Sequence, residues 1–356
     1  MFKNIHIWLP SYIKQHLTQK NGFAQNRPLH IIFCIADHFE PRWGNVGIEK
    51  ETERVDTWLD KYSSTINGHH DADGNIPKYT FFYPIDEYTP EVFEKIVEFC
   101  KKGFGEIEIQ LHHDKDTSNS LHEKLERAKE VLSGWEMLSR DRYTKELRYG
   151  FIHGNWALDN SRRDGRLCGV NNELEVLKET GCYADFTLPS APSETQTCKI
   201  NSIYYAKDTP KPKSHNVGFN VEVGKSYNGD LMIIQGPLTL NWSRRKIENS
   251  GISLDNPPTS DRIDLWIDQR IGVIGKPEWI FVKIYTHGAQ DKNLKDEYFK
   301  NLNLMFEYLE KKYSDGIDYK LHYVTSREMY NIIKATEEGK NGGPGEYRDY
   351  LLRMTI

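Results

Sequence analysis

Cysteine is scarce and scattered in this chain. Cys34, Cys100, Cys168, Cys182 and Cys198 are an odd number, and no two are separated by only two to four residues. This spacing argues against a thiolate zinc cage and against a disulfide framework, and leaves buried or incidental thiols as the expectation. Long apolar runs are missing as well. None approaches the roughly 20 residues that cross a bilayer. There is no excess of basic charge: 47 Lys and Arg stand against 52 Asp and Glu, for a net charge of −5 and a pI near 6.2. Nucleic acid therefore has no electrostatic footprint to bind. The opening "MFKNIHIWLPSYIKQHL" lacks the basic, apolar, small-residue order of a signal peptide. The expectation is a soluble cytoplasmic protein that binds neither nucleic acid nor membrane. Repeats and low-complexity tracts are absent too.

What is present is alternation on the scale of whole elements. At 356 residues with 38% apolar content, the chain can fill one large α/β core or two smaller ones. Short apolar runs at 29–37, 79–84, 106–111, 148–154, 182–190, 278–288 and 319–325 read as strands. Between them lie helical patterns, among them 90–105, about 120–132, 171–181, 296–313 and the stretch from Ser326. Continuous apolar strands separated by helices indicate a parallel sheet buried on both faces, and seven or eight such units suggest a barrel. Residues 1–28 are read as an N-terminal extension, 29–335 as the barrel and 336–356 as a tail after a flexible connection. Within 191–260 the pattern changes. "NVGFNVEVGKSYNGDLMIIQG" reads as two strands around a Tyr-Asn-Gly turn, a β-hairpin insertion.

The strands end in ligand chemistry. The first closes on Asp37, His38 and Glu40; "EIQLHHDKD" closes on His112, His113, Asp114 and Asp116. Further on come His153, Asn155 and Asp159, then Asp185, then His287. Surface turns favour Asp, Asn and Gly for backbone reasons but have no preference for histidine. Functional groups of such barrels collect at the C-terminal ends of the strands.

These motifs resemble the polysaccharide deacetylases, whose fold is a distorted seven-stranded (β/α) barrel. Asp37-His38 stands where that family has two adjacent acids, a base and then a metal ligand. Glu108-Ile109-x-x-His112-x-x-x-Asp116 is similar to its Glu-Ile-x-x-His-x-x-x-His motif, and "FVKIYTHG" to its final histidine strand. The resemblance implies a metal held by His38, His112 and Asp116, with Asp37 as base and His287 as acid. Two exchanges against the family pattern keep the ligand set at two histidines and one aspartate. The family's arginine near the fourth strand is absent, and His153, Asn155 or Arg162 are candidates for its role.

Imidazoles with a carboxylate suit a borderline divalent ion: zinc, nickel, cobalt or ferrous iron. Such an ion makes a nucleophile of water near neutral pH, and expulsion of an amine needs an acid opposite. Asp185 is a candidate to orient His287. His153, Asn155 and Trp156 are candidate substrate contacts, and Tyr183 and Phe186 are further flat faces for a sugar. The expected function is removal of an acyl group, N-acetyl above all, from a carbohydrate. Two alternatives stay open: a glycoside hydrolase using two of Glu40, Asp159 and Asp185, and an inactive saccharide-binding barrel. Each residue also has a plain structural reading. His112 and Asp116 could cap a helix, and His38 could merely hydrogen-bond while Asp37 or Glu40 binds the ion. Because side chains alternate along a strand, His112 and His113 should face opposite ways. Asp159 and Arg162 read as a surface ion pair. "NGHHDADGN" (67–75) reads as a loop that could lie over the site and has only part of a calcium-loop pattern.

Overall fold

Both faces of the first strand are covered, which is why its sequence is continuously apolar rather than alternating. The structure, a computed structural model, describes residues 3–19, 28–227 and 230–354. In β1 (Leu29–His38), Ile31, Phe33 and Ile35 join one apolar cluster while Ile32, Cys34 and Ala36 join another.

The chain proceeds through α1 (Leu9–Gln19), β1, α2 (Ile48–Thr65), β2 (Tyr79–Pro84), α3 (Pro90–Lys101), β3 (Gly105–Leu111) and α4 (Ser118–Gly134). Next come β4 (Ser139–Asp141), β5 (Leu147–His153), α5 (Glu173–Glu179), β6 (Cys182–Asp185), β7 (Ile203–Ala206), β8 (Gly218–Asn220) and β9 (Leu231–Ile234). The remainder is β10 (Thr239–Asn241), β11 (Lys246–Glu248), α6 (Ser260–Asp268), β12 (Trp279–Thr286), α7 (Asp296–Tyr313), β13 (Tyr319–Tyr323), α8 (Ser326–Glu337) and β14 (Leu352–Arg353).

Hydrogen bonds order the main sheet β12-β1-β2-β3-β5-β6-β9-β7-β8, and every pair from β12 to β9 is parallel. The inner cluster takes Ile32, Ile152, Ala184, Ile234 and Phe281 from five of these strands, so the sheet wraps it; helices cover the outside. This is the expected α/β architecture with a large, mostly parallel sheet. Closure differs from expectation: among the described residues no ladder joins β9 to β12. In that gap residues 250–252 lie along β12, with the Ile252 N–H donating to the Tyr285 carbonyl at 2.9 Å. Gly236 comes so close that a Cβ there would sit 2.4 Å from the Lys283 carbonyl oxygen.

The insertion is also arranged differently. β8 and β9 do not pair with each other; β7 lies between them and is antiparallel to both. Local alternation could not reveal that a strand ten or more residues upstream would intervene. Part of the expected Tyr-Asn-Gly turn, residues 228–229, lies outside the described residues. The hairpin of this region is instead β10–β11. The tail is tied down rather than loose, for β14 pairs with β4 and Asn331 bonds the backbone of Leu351 and Leu352. The 67–75 loop does not approach the strand mouths. The Ala72 N–H donates to Leu321 and Asp71 accepts from Tyr323, while β13 pairs with the N-terminal half of β1, Leu29 to Phe33. Among the described residues no helix is long and apolar enough to cross a membrane.

One buried acid in the inner layer makes stability pH-dependent. Glu108 on β3 accepts Tyr183 Oη and Gly150 N, both at 2.5 Å. Burial nevertheless pushes its pKa from 4.5 up to about 8, more than those bonds pull it down. The folded state therefore holds this proton more tightly than the unfolded chain. Its stabilisation is complete below about pH 4.5 and is lost as pH rises through about 8. We expect unfolding free energy to fall between pH 5 and 8 by up to about 1.4 kcal/mol per pH unit from this group. Glu108→Gln should flatten that slope in denaturant titrations, and an unchanged slope would refute it.

Candidate active site

The register of β1 against β12 builds the centre. Asp37 stands opposite Thr286, so one residue on, His38 meets His287. Their rings stack with centroids 4.9 Å apart. The indole of Trp156 also packs on His38, at 4.5 Å and 20°, and lies 6.3 Å from the His287 ring. Trp156 reaches that place with φ of 61°, a left-handed conformation that costs about 1–2 kcal/mol outside glycine. Just past the strand, Glu40 turns inward. Its Oε1 accepts Gln110 Nε2 at 2.5 Å and lies 3.2 Å from His112 Nε2. Gln110 and His112 are two apart on one strand end, hence on the same side.

Asp86, in the turn after β2, holds His112. Its Oδ1 accepts the His112 backbone N–H at 3.0 Å, and Oδ2 lies 3.2 Å from Nδ1. The ring rests on Gly154, where a Cβ would come within 2.4 Å of it. Burial pulls the His112 pKa down, but the Asp86 and Glu40 carboxylates more than offset this and raise it to about 10. His38 goes the other way: burial, then the neighbouring His287, holds it well below 6.5.

The donors of His38, Glu40 and His287 all lie within 4.8 Å of one another. Both ring nitrogens of His38 and Oε2 of Glu40 are buried without a hydrogen-bond partner. Burying such atoms unpaired costs several kcal/mol in total, and a cation is the partner that two neutral imidazoles and a carboxylate suit. The residues present fit a divalent ion.

Several expected roles move. Asp37 is on the opposite face of β1 from His38, where its oxygens accept Tyr79 Oη at 2.8 Å and the Gly288 N–H at 2.8 Å. It ties the end of β12 instead of facing the mouth, and burial pushes its pKa up to about 7. Asp116 does not join His38 and His112. Its carboxylate binds Lys124 Nζ at 2.7 Å and Ser120 Oγ at 2.8 Å beside α4, because the helix begins before the chain can return to the mouth. Asp185 accepts Thr187 Oγ1 at 2.7 Å and has no contact with His287. His153 turns to the outer face with His113, ring centroids 4.5 Å apart, and Asn155 Nδ2 donates to the His113 carbonyl at 3.3 Å. Asp159 is buried and accepts Ser214 Oγ at 2.6 Å, while Arg162 pairs with Asp164 at 2.8 Å. Lys283 on β12 is also buried, and its Nζ donates to the carbonyls of Phe186 and Leu188. Gln110 and Asp86 went unremarked in the sequence; the signal for Asp86 was that β2, too, runs into acids, "YPIDEY".

No family model and no curated protein matches this chain. The fold is similar to those of two solved structures. A "putative polysaccharide deacetylase from Mycobacterium smegmatis" is 12% identical, with 90% of this chain and 96% of that one covered and a TM-score of 0.48. A "putative glycoside hydrolase/deacetylase" from Parabacteroides distasonis is also 12% identical, with 84% and 69% covered and a TM-score of 0.43.

Proposed function

We propose that the protein is a metal-dependent hydrolase that removes an acyl group, N-acetyl in the first instance, from a carbohydrate. His38, Glu40 and His287 would hold a divalent ion, with zinc the leading choice and nickel, cobalt or ferrous iron also suited. The bound ion would supply a water with a pKa near 7 and polarise the acyl carbonyl. His112 carries the proton that a departing amine requires. Asp86 fixes its ring through Nδ1 and leaves Nε2 pointed at the Glu40 side of the mouth. Beside it lies a cleft of about 370 Å³ lined by Tyr88, Leu111, His112, Lys124 and Arg127, room for part of a sugar chain. Trp156 and His287 both pack against the His38 ring and hold it in place. Trp43, exposed and three residues beyond Glu40, offers a flat face to a pyranose ring.

The observation that carries this reading is the pair of unpartnered buried nitrogens on His38 beside an acid-held His112. Acetate release from N-acetylglucosamine oligomers tests it. Activity should vanish on chelation and return with zinc, cobalt or nickel. New reducing ends without acetate would favour glycoside hydrolysis, and neither product under any metal would overturn the proposal.

A further inference from the structure

Behind the mouth, on the outer face of the sheet, a second group of ligand-type side chains comes together. His113 follows β3, His153 ends β5, Glu173 opens α5, and Cys168 belongs to the loop between β5 and α5. All four are buried, and one donor atom from each lies within 4.8 Å of all the others. We propose that these four residues form a structural divalent-metal site of zinc type, separate from the catalytic centre and independent of the activity proposed above.

Four observations point this way. First, both ring nitrogens of His153 lack a partner although the residue is 0% exposed. Nothing else in the group satisfies them; Glu173 Oε1 is 3.9 Å from Nε2. Second, Cys168 Sγ accepts two backbone N–H groups, from Asn160 at 3.3 Å and Val170 at 3.5 Å. Sγ also donates to Glu173 Oε2 at 3.3 Å, so the thiol proton points at another donor of the same cluster, the place a metal would take on displacing it. Third, His113 presents Nε2 toward Glu173 at 3.0 Å, while the Asp116 carboxylate stands 3.2 Å from its Nδ1. A carboxylate behind a ligating histidine is the usual way its orientation is fixed, and it gives Asp116 a place in the architecture. Fourth, the charges balance. On binding, the Cys168 thiol loses its proton to solvent, and one thiolate and one carboxylate neutralise the divalent ion while both imidazoles stay neutral. A neutral assembly is what a fully buried site tolerates.

Two histidines, one carboxylate and one thiolate make a closed tetrahedral set for zinc with no place left for water. The contraction required, from 4.8 Å at most to the roughly 3.3–3.7 Å edges of a zinc tetrahedron with bonds of about 2.0–2.3 Å, is small. The ion would lock the loop that carries Trp156, in which Trp156, Asp159, Asn160 and Leu167 all have positive φ. It would also brace the turn that presents His112. The adjacent histidines thus serve two sites on opposite faces of one strand end.

The thiolate separates this site from the first, which has none. Protein produced in cobalt-supplemented medium should show an intense near-ultraviolet thiolate-to-cobalt absorption. The band should be lost in Cys168→Ser and kept in His38→Ala, whether or not the latter retains activity. X-ray absorption of the wild-type zinc protein should show a sulfur neighbour at about 2.3 Å, a result that stands even if Cys168→Ser fails to fold. Metal-loaded wild type with neither the band nor the sulfur neighbour would overturn the proposal. The four groups would then be a hydrogen-bonded cluster only.

Discussion

Replacing His112 with glutamine should lower turnover of an N-acetylated sugar by about 10²–10⁴-fold, the usual worth of a positioned acid, while leaving bound metal unchanged. The argument rests on what each neighbour does to the ring. Asp86 holds Nδ1 and stays outside the proposed metal site, so its carboxylate favours the imidazolium whether or not Glu40 binds the ion. A C–N bond cannot break at useful speed unless the amine leaves protonated. An aryl acetate leaves as a weakly basic phenolate and needs no such help. The variant should therefore keep most of its activity on the aryl ester and lose it on the amide, with kcat affected far more than KM. Equal losses on both substrates, together with loss of metal, would instead make His112 a ligand. No loss on either would remove it from the chemistry.

The second large effect concerns stability. Arg262 is fully buried and makes a bidentate pair with Glu248, at 2.7 and 2.8 Å, while donating to the carbonyls of Asn256, Pro257 and Gly251. Glu248 also accepts Trp266 Nε1 at 2.9 Å. Arg262→Ala would leave a buried carboxylate without its counter-charge and take one of two donors from each of three carbonyls, which keep Asn256 Nδ2, Ser253 N–H and Thr259 N–H. Breaking such a pair from one side costs about 3–5 kcal/mol, visible as a drop of several degrees or more in Tm. The same residues hold 250–252 along β12 next to Tyr285, whose ring packs 4.9 Å from that of Trp156. Activity should therefore fall with stability. A loss below about 1 kcal/mol would show that the pair contributes little beyond replaceable packing.

The element pattern is largely legible in the sequence. The 79–84 strand and the 296–313 helix appear in the structure with those same bounds, because both have a strong local signal: a short apolar run, and an apolar stripe repeated over five turns. The helix read from Ser326 does begin there, capped by the preceding Thr325, which forms a capping box with Glu328. The two short strands β8 and β9 misled because nothing local names the partner of either. At the mouths, the sequence pointed to His38, His112 and His287 by their position at strand ends, but with His112 as ligand and His287 as acid, roles that the reading proposed above exchanges. It misplaced Asp37 and Asp116, whose direction depends on the pleat and on where α4 begins.

By itself the sequence determined where the seven main strands lie, that they are buried on both faces, and that histidine and acid gather where they stop. These properties follow from composition and period, which act over a few residues. The tertiary structure alone decided that Glu40 rather than Asp37 turns toward His38, that Asp86 reaches across to His112, and that Cys168 and Glu173 close around His113 and His153. Those pairings join residues far apart in the chain, and they are set by strand register and loop path, which no local pattern encodes.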